Sequence, residues 1–136
     1  MTDTNTNALK LSQGARRLAQ QEADKILAET EGVTAVVIAT IDGFDIASAI
    51  RSDLEPSRIA AMASSISAIA YVVSDEAKLG RGKRVTIETD AGFAVVYSVP
   101  RPDTELVLIV ISDGRTLLGQ IAYRTAEAAN LILGAA

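Results

Sequence analysis

The stretch EPSRIAAMASSISAIAYVVSDEAKL, residues 55–79, decides how the rest of the chain is read. Pro56 suits a first helical turn, where its missing N–H costs nothing. Glu55, held extended by the proline after it, is the entry residue. Gly80 and Gly82 mark the exit. A helix of this length spans about 36 Å, the width of a small domain. Ile59, Met62, Ala63, Ile66, Ile69, Ala70 and Val73 recur at helical spacing and form an apolar stripe expected on a sheet. The remaining middle positions, Ala60, Ala61, Ser64, Ser65, Ser67 and Ala68, are small and neutral, and no charge lies between Arg58 and Asp75. A surface helix ordinarily carries charge opposite its core stripe. Two readings follow: a helix buried inside its own monomer, or a helix with one face on a sheet and the other on a second subunit. Few elements remain in so short a chain to cover a second face, which favours the subunit interface.

Outward from this helix the chain alternates strands and turns. The polar residues 1–9 are expected to be a flexible N-terminus ahead of a single domain over 10–136. A helix is predicted over about Ser12 to Thr30, with Leu11, Ala15, Leu18, Ile26 and Leu27 inward and a solvated face of Arg16, Arg17, Gln20, Gln21, Asp24 and Lys25. Val33–Ile41 is β-branched and apolar, a central strand, and Asp42-Gly43 turns it into the strand Phe44–Ile50. After the long helix, Lys83–Thr89, Phe93–Val99 and Leu106–Ser112 are three strands joined by short turns. A last helix from about Thr116 to Leu133 presents Leu117, Leu118, Ile121, Thr125, Ala128 and Ile132. The class is α+β: a five-stranded, mainly antiparallel sheet covered by helices, in the order α-β-β-α-β-β-β-α.

Composition narrows the chemistry. The 136 residues are 49% hydrophobic, with two Phe, three Tyr and no Trp, so the core is Ala, Val, Ile and Leu. A net charge of −4 disfavours a nucleic-acid partner. The absence of histidine and cysteine removes the commonest general base, thiol nucleophiles and the ligands of zinc or non-haem iron. No cofactor is expected. The N-terminus lacks a signal-peptide core, and no continuous apolar run matches a membrane span, so membrane insertion is not expected and a cytoplasmic location is the default. Leu79-Gly80-Arg81-Gly82-Lys83 resembles a phosphate loop but lacks its spacing and a preceding strand. Asp42 with Asp45, and Glu88 with Asp90, read as turn chemistry. Arg51, Arg81, Arg101 and Arg115 are loop arginines that a GTPase partner could recruit, and each also reads as an ordinary surface residue. No catalytic residue and no metal site is assigned.

The strand Lys83–Thr89 alternates Val85 and Ile87 against Arg84, Thr86 and Glu88. At a sheet edge its unpaired backbone would be exposed, which soluble proteins usually prevent. Either the charges merely blunt that edge, or the strand pairs with a copy of itself across a two-fold axis. With Thr86 opposite its own copy, Arg84 faces the copy's Glu88. The expected dimer contacts are therefore Ala61, Ser64, Ser65 and Ala68 on the helix and Arg84, Thr86 and Glu88 on the strand.

Taken together, these segments resemble the roadblock family, the dynein light-chain roadblock-type domain. The resemblance rests on Gly32–Ile38 leading to Asp42-Gly43, the Ala/Ser-rich helix Ile59–Val73, Leu79–Gly82 followed by Val85–Thr89 and Gly92, and Leu106–Val110 with Leu117-Leu118-Gly119. It covers about residues 10–133 and lies in the order and spacing of motifs that are individually weak. It implies a homodimer or heterodimer in which middle helices and following strands meet and two sheets become one. It implies a non-enzymatic scaffold or regulator of a Ras-like small GTPase; bacterial MglB-like members stimulate hydrolysis by repositioning the GTPase's own groups, so no catalytic residue is carried over. Arg58, Tyr71, Asp75 and Lys78, near the ends of the helix, are the polar or aromatic docking candidates. The alternatives are a dimeric scaffold for signalling, polarity or motor proteins with no effect on GTP turnover, and a small-ligand sensor, which the scarcity of aromatic residues disfavours.

Overall fold

The computed structural model describes residues 10–136; the expected flexible N-terminus, residues 1–9, lies outside them. The described elements are α1 (Gln13–Glu29), β1 (Val33–Thr40), β2 (Asp45–Ile50), α2 (Pro56–Glu76), β3 (Arg84–Thr89), β4 (Gly92–Pro100), β5 (Glu105–Ser112) and α3 (Leu118–Leu133). The strands form one sheet in the order β2-β1-β5-β4-β3, and every neighbouring pair is antiparallel. The two most apolar strands, β1 and β5, lie side by side at the centre, as double-sided burial requires. The short hairpins β1–β2 and β3–β4 are thereby placed at opposite margins.

Local chemistry fixes the ends of the elements. The Ser12 hydroxyl accepts the Ala15 N–H at 3.1 Å and caps α1. Lys78 and Gly80 take left-handed φ values of 56° and 84°, and α2 stops at Glu76, a little before the expected end. Gly92 lies so close to β5 that a Cβ there would stand 2.0 Å from the Ser112 carbonyl oxygen, so no larger residue fits between the strands.

Helices cover both faces of the sheet. On one, α1 and α3 bury Ala15, Ala19, Ala23, Ile26, Ile121, Ala128 and Ile132 against Val36, Ile38, Val95, Leu106, Leu108 and Val110. On the other, α2 lies alone, with Ile59, Ala60 and Ala63 against Ala35, Val37, Ala39, Val107 and Ile109. The burial is unequal. α1 buries five of 17 residues and α3 six of 16, while α2 buries three of 21.

The helical stripe of α2 differs from its expected placement. Ala60 is fully buried, whereas Met62, Ile69 and Val73, expected in the core, are 50%, 65% and 57% exposed. Small residues let the helix sit close on a sheet face built of alanine and valine, and this turns the larger side chains outward. Periodicity alone could not decide which of two adjacent apolar stripes meets the chain's own sheet. Leu117 likewise stands in solvent, because it is the extended residue preceding α3 rather than part of its inner face. By length and composition α2 is apolar enough to cross a membrane; here it lies on the sheet, with Ser64, Ser65 and Ser67 along it.

Candidate protein-protein interface

The uncovered surface of α2 divides into two flanks. The helix begins beyond the end of β2 and descends across the sheet to the start of β3. One flank looks toward the β1–β2 hairpin. There the Ser64 hydroxyl donates to the Ile41 carbonyl, and Ala61 and Ser64 press against Gly43. Further along, Ala68, Tyr71 and Val72 form one wall of an apolar groove of about 450 Å³ floored by Val85 and Val96 and rimmed by the Arg81–Glu105 ion pair at 2.9 Å. The other flank carries Met62, Ile66, Ile69 and Val73 and looks across Val85 toward the β3 edge. Val85 belongs to the α2 side of the sheet, and Ile87, two residues on, points the same way and is 39% exposed. An apolar strip therefore runs from α2 to the sheet edge with nothing in the described chain over it.

The edge itself is bare. The Ser98 N–H donates to the Lys83 carbonyl at 3.3 Å, so residues 83 and 98 form a hydrogen-bonded pair. Alternation along the antiparallel ladder makes Val85–Val96 and Ile87–Ala94 bonded pairs too. The N–H and C=O groups of Arg84, Thr86 and Glu88 consequently point away from the sheet, and among the described residues no side chain satisfies them. The side chains of these three residues lie on the α1/α3 face, where Arg84 donates to the Tyr97 hydroxyl at 3.2 Å.

The residues singled out in the sequence thus fall in three places. Ala61, Ser65 and Ala68 are exposed on the outer surface and hairpin flank of α2, while Ser64 is half-buried and held by the chain's own hairpin. Arg84, Thr86 and Glu88 form the outward row of β3. Among the docking candidates, Tyr71, Asp75 and Lys78 gather with Ser74, Gly80 and Arg81 in a shallow depression at the end of α2. Arg58 is at the opposite end, about 26 Å from Asp75 along the helix. The four do not converge in one chain. Met62, Ile69, Val73 and Ile87 are exposed apolar residues beside these, and the three helical ones had been assigned to the core by their apolar character.

The loop arginines are held within the chain. Arg51 donates to the Leu27 carbonyl at 2.7 Å, Arg81 pairs with Glu105 and Arg115 with Asp113. Arg101, only 5% exposed in its side chain, donates to the Ile132 and Ala135 carbonyls at the end of α3 and makes a forked contact with Asp103 at 2.9 and 2.8 Å. The guanidinium beside Asp103 holds its carboxyl below the ordinary value of 3.8. No group of three carboxylates converges among the described residues.

Solved structures share this fold. A roadblock/LC7 domain from Streptomyces avermitilis superposes with a TM-score of 0.74 at 15% identity, over 83% of this chain and 92% of that one. Myxococcus xanthus MglB gives 0.76 at 17% identity, over 87% and 86%. The gliding protein MglB from Thermus thermophilus gives 0.78 at 13% identity, over 90% and 91%. No protein-family profile and no curated protein sequence matches the chain. The chain has the roadblock/LC7 fold, and its structural neighbours include MglB.

Proposed function

We propose that two copies of this chain join through α2 and β3, and that the dimer is a non-enzymatic cytoplasmic scaffold or regulator that docks a Ras-like small GTPase and modulates its activity. The observation carrying the dimer is the pairing of two incomplete surfaces in one place. The longest helix exposes Met62, Ile69 and Val73, and beside it lies an edge strand with unpaired backbone and an exposed Ile87. A patch of this kind on a soluble chain marks a contact surface, and the bare edge asks for a strand. MglB shares this fold, which supports the regulatory reading, as does the resemblance of the sequence motifs.

The GTPase partner rests on that likeness alone. In a dimer the Tyr71 groove and the Tyr71–Asp75–Lys78 depression lie on the flank turned away from the seam and stay open in both copies. They are the surface on which a partner protein would dock. A tagged dimer presented to native lysate with GTP or GDP analogues tests this. Nucleotide-dependent recovery of a small GTPase, lost in Tyr71→Asp, supports the regulator. Recovery of other proteins, with no GTPase under either nucleotide, replaces it with the pure scaffold.

A further inference from the structure

We infer that β3 is written to pair with a second copy of this same chain in one register only, with Thr86 on the two-fold axis. This rests on the dimer reading above and specifies who the partner is and how it is read. The outward row of β3 holds Arg84, Thr86 and Glu88, fixed by the Lys83–Ser98 hydrogen bond and the alternation that follows from it. Antiparallel strands bond fully only when outward residues meet outward residues. An axis on Thr86 places Thr86 opposite itself and Arg84 opposite the copy's Glu88 on both sides, and it uses the whole row, about six main-chain hydrogen bonds. An axis on Arg84 or on Glu88 sets like charges face to face. An axis on Val85 sets Arg84 opposite Thr86, and an axis on Ile87 sets Glu88 opposite Thr86 and carries Arg84 beyond the strand to the turn residue Asp90, so in neither do Arg84 and Glu88 pair with each other. A parallel arrangement in register opposes each charge to itself. Thr86 on the axis is the arrangement in which every charge of the row meets its opposite.

The side chains are positioned for that meeting. Arg84 is steadied by the Tyr97 hydroxyl on the α1/α3 face, where Glu88 also points. On the reverse face the same register brings Val85 and Ile87 of both copies together beneath the Met62–Ile69–Val73 flanks of the two α2 helices. A different chain of the same fold would fit this edge only if it carried the same basic–neutral–acidic order.

Charge exchange tests the code directly. R84E leaves only acidic residues at the two positions, and E88R only basic ones. Each variant alone should dimerise about ten-fold more weakly than the parent or worse, since two facing pairs turn repulsive. Mixed in equal amounts they should form the heterodimer in preference to either homodimer, and the double variant R84E/E88R should regain the parental Kd. The differences should shrink in high salt. Single variants that dimerise like the parent and mix at random would overturn the register while leaving a dimer standing. A parent that sediments as a monomer at high concentration would overturn the dimer reading itself. Differential labelling and native mass spectrometry of the mixture separate these outcomes.

Discussion

The two margins of the sheet are built alike and finished differently. β2 and β3 are both six-residue edge strands at the end of a hairpin. The Arg51 N–H donates to the Thr34 carbonyl, so by the same alternation Ser48 and Ile50 turn their backbone outward, with Ser48 at the centre of the strand. That centre is closed from within the chain. The Gln20 side-chain amide of α1 donates to the Ser48 carbonyl at 2.8 Å and accepts its N–H at 3.2 Å, standing in for the peptide of an absent strand. α1 then covers the α1/α3 face beside it. At β3 the equivalent position, Thr86, has no such partner among the described residues, and the helix on the neighbouring face leaves its apolar flank open. Natural sheets protect their edges. This contrast between a clamped edge and an open one is what the proposed pairing of β3 rests on.

The largest expected effect comes from charging the open flank. Ile69→Asp should abolish dimerisation, because an unpaired charge in a buried contact costs about 3–5 kcal/mol. The monomer should still fold, since Ile69 is 65% exposed in the single chain. Sedimentation and circular dichroism check the two halves of that statement. Next is the same substitution at the centre of each edge. Thr86→Pro removes an outward N–H that the chain itself does not use, so it should leave folding nearly intact and block strand pairing, a loss of about 3 kcal/mol from the dimer. Ser48→Pro removes the N–H that Gln20 accepts and should act on folding instead. If both prolines affected only folding, the two edges would not differ as described.

Gln20→Leu is the complementary change. It leaves the outward groups of Ser48 unsatisfied, at a cost of about 1–3 kcal/mol in unfolding free energy. It should also turn a quiet edge into an associating one, visible as concentration-dependent light scattering. The smallest effect concerns the β4–β5 loop, where Arg101 ties Asp103 to the end of α3. Asp103 is held below its ordinary value of 3.8 by Arg101. A depressed folded-state value means its stabilising contribution is complete above about pH 4 and is lost as pH falls through the lower, folded-state value. Denaturation curves at pH 5 and pH 3 should show a smaller acid loss for Asp103→Asn than for the parent.

Much of this was legible in the sequence. The β-branched runs at Val33 and Leu106 announced central strands, Asp42-Gly43 the hairpin, and the uncharged span between Arg58 and Asp75 the long middle helix. The alternation of Arg84, Thr86 and Glu88 against Val85 and Ile87 was legible because strand period survives at an edge. The rotation of α2 was not legible. Ile59 and Ile69 have equal hydrophobicity, and which one meets the home sheet depends on how closely Ala60 and Ala63 let the helix approach. Gln20 carried no signal either: it sits among polar neighbours on α1, and its partner is a peptide group on β2 that no pattern in the sequence connects to it. Arg101 read as an exposed loop residue, and only the returning end of α3 makes it a buried anchor.

The most direct measurement is amide-resolved hydrogen exchange of the parent protein across a dilution series, followed at the outward N–H groups of the two edges. Ser48 should be protected at every concentration, because its partner is in the same chain. Thr86 and Glu88 should exchange slowly in concentrated protein and rapidly once the dimer is diluted apart. Fast exchange at Thr86 at all concentrations, with Ser48 protected, would contradict the claim that a second copy closes the β3 edge.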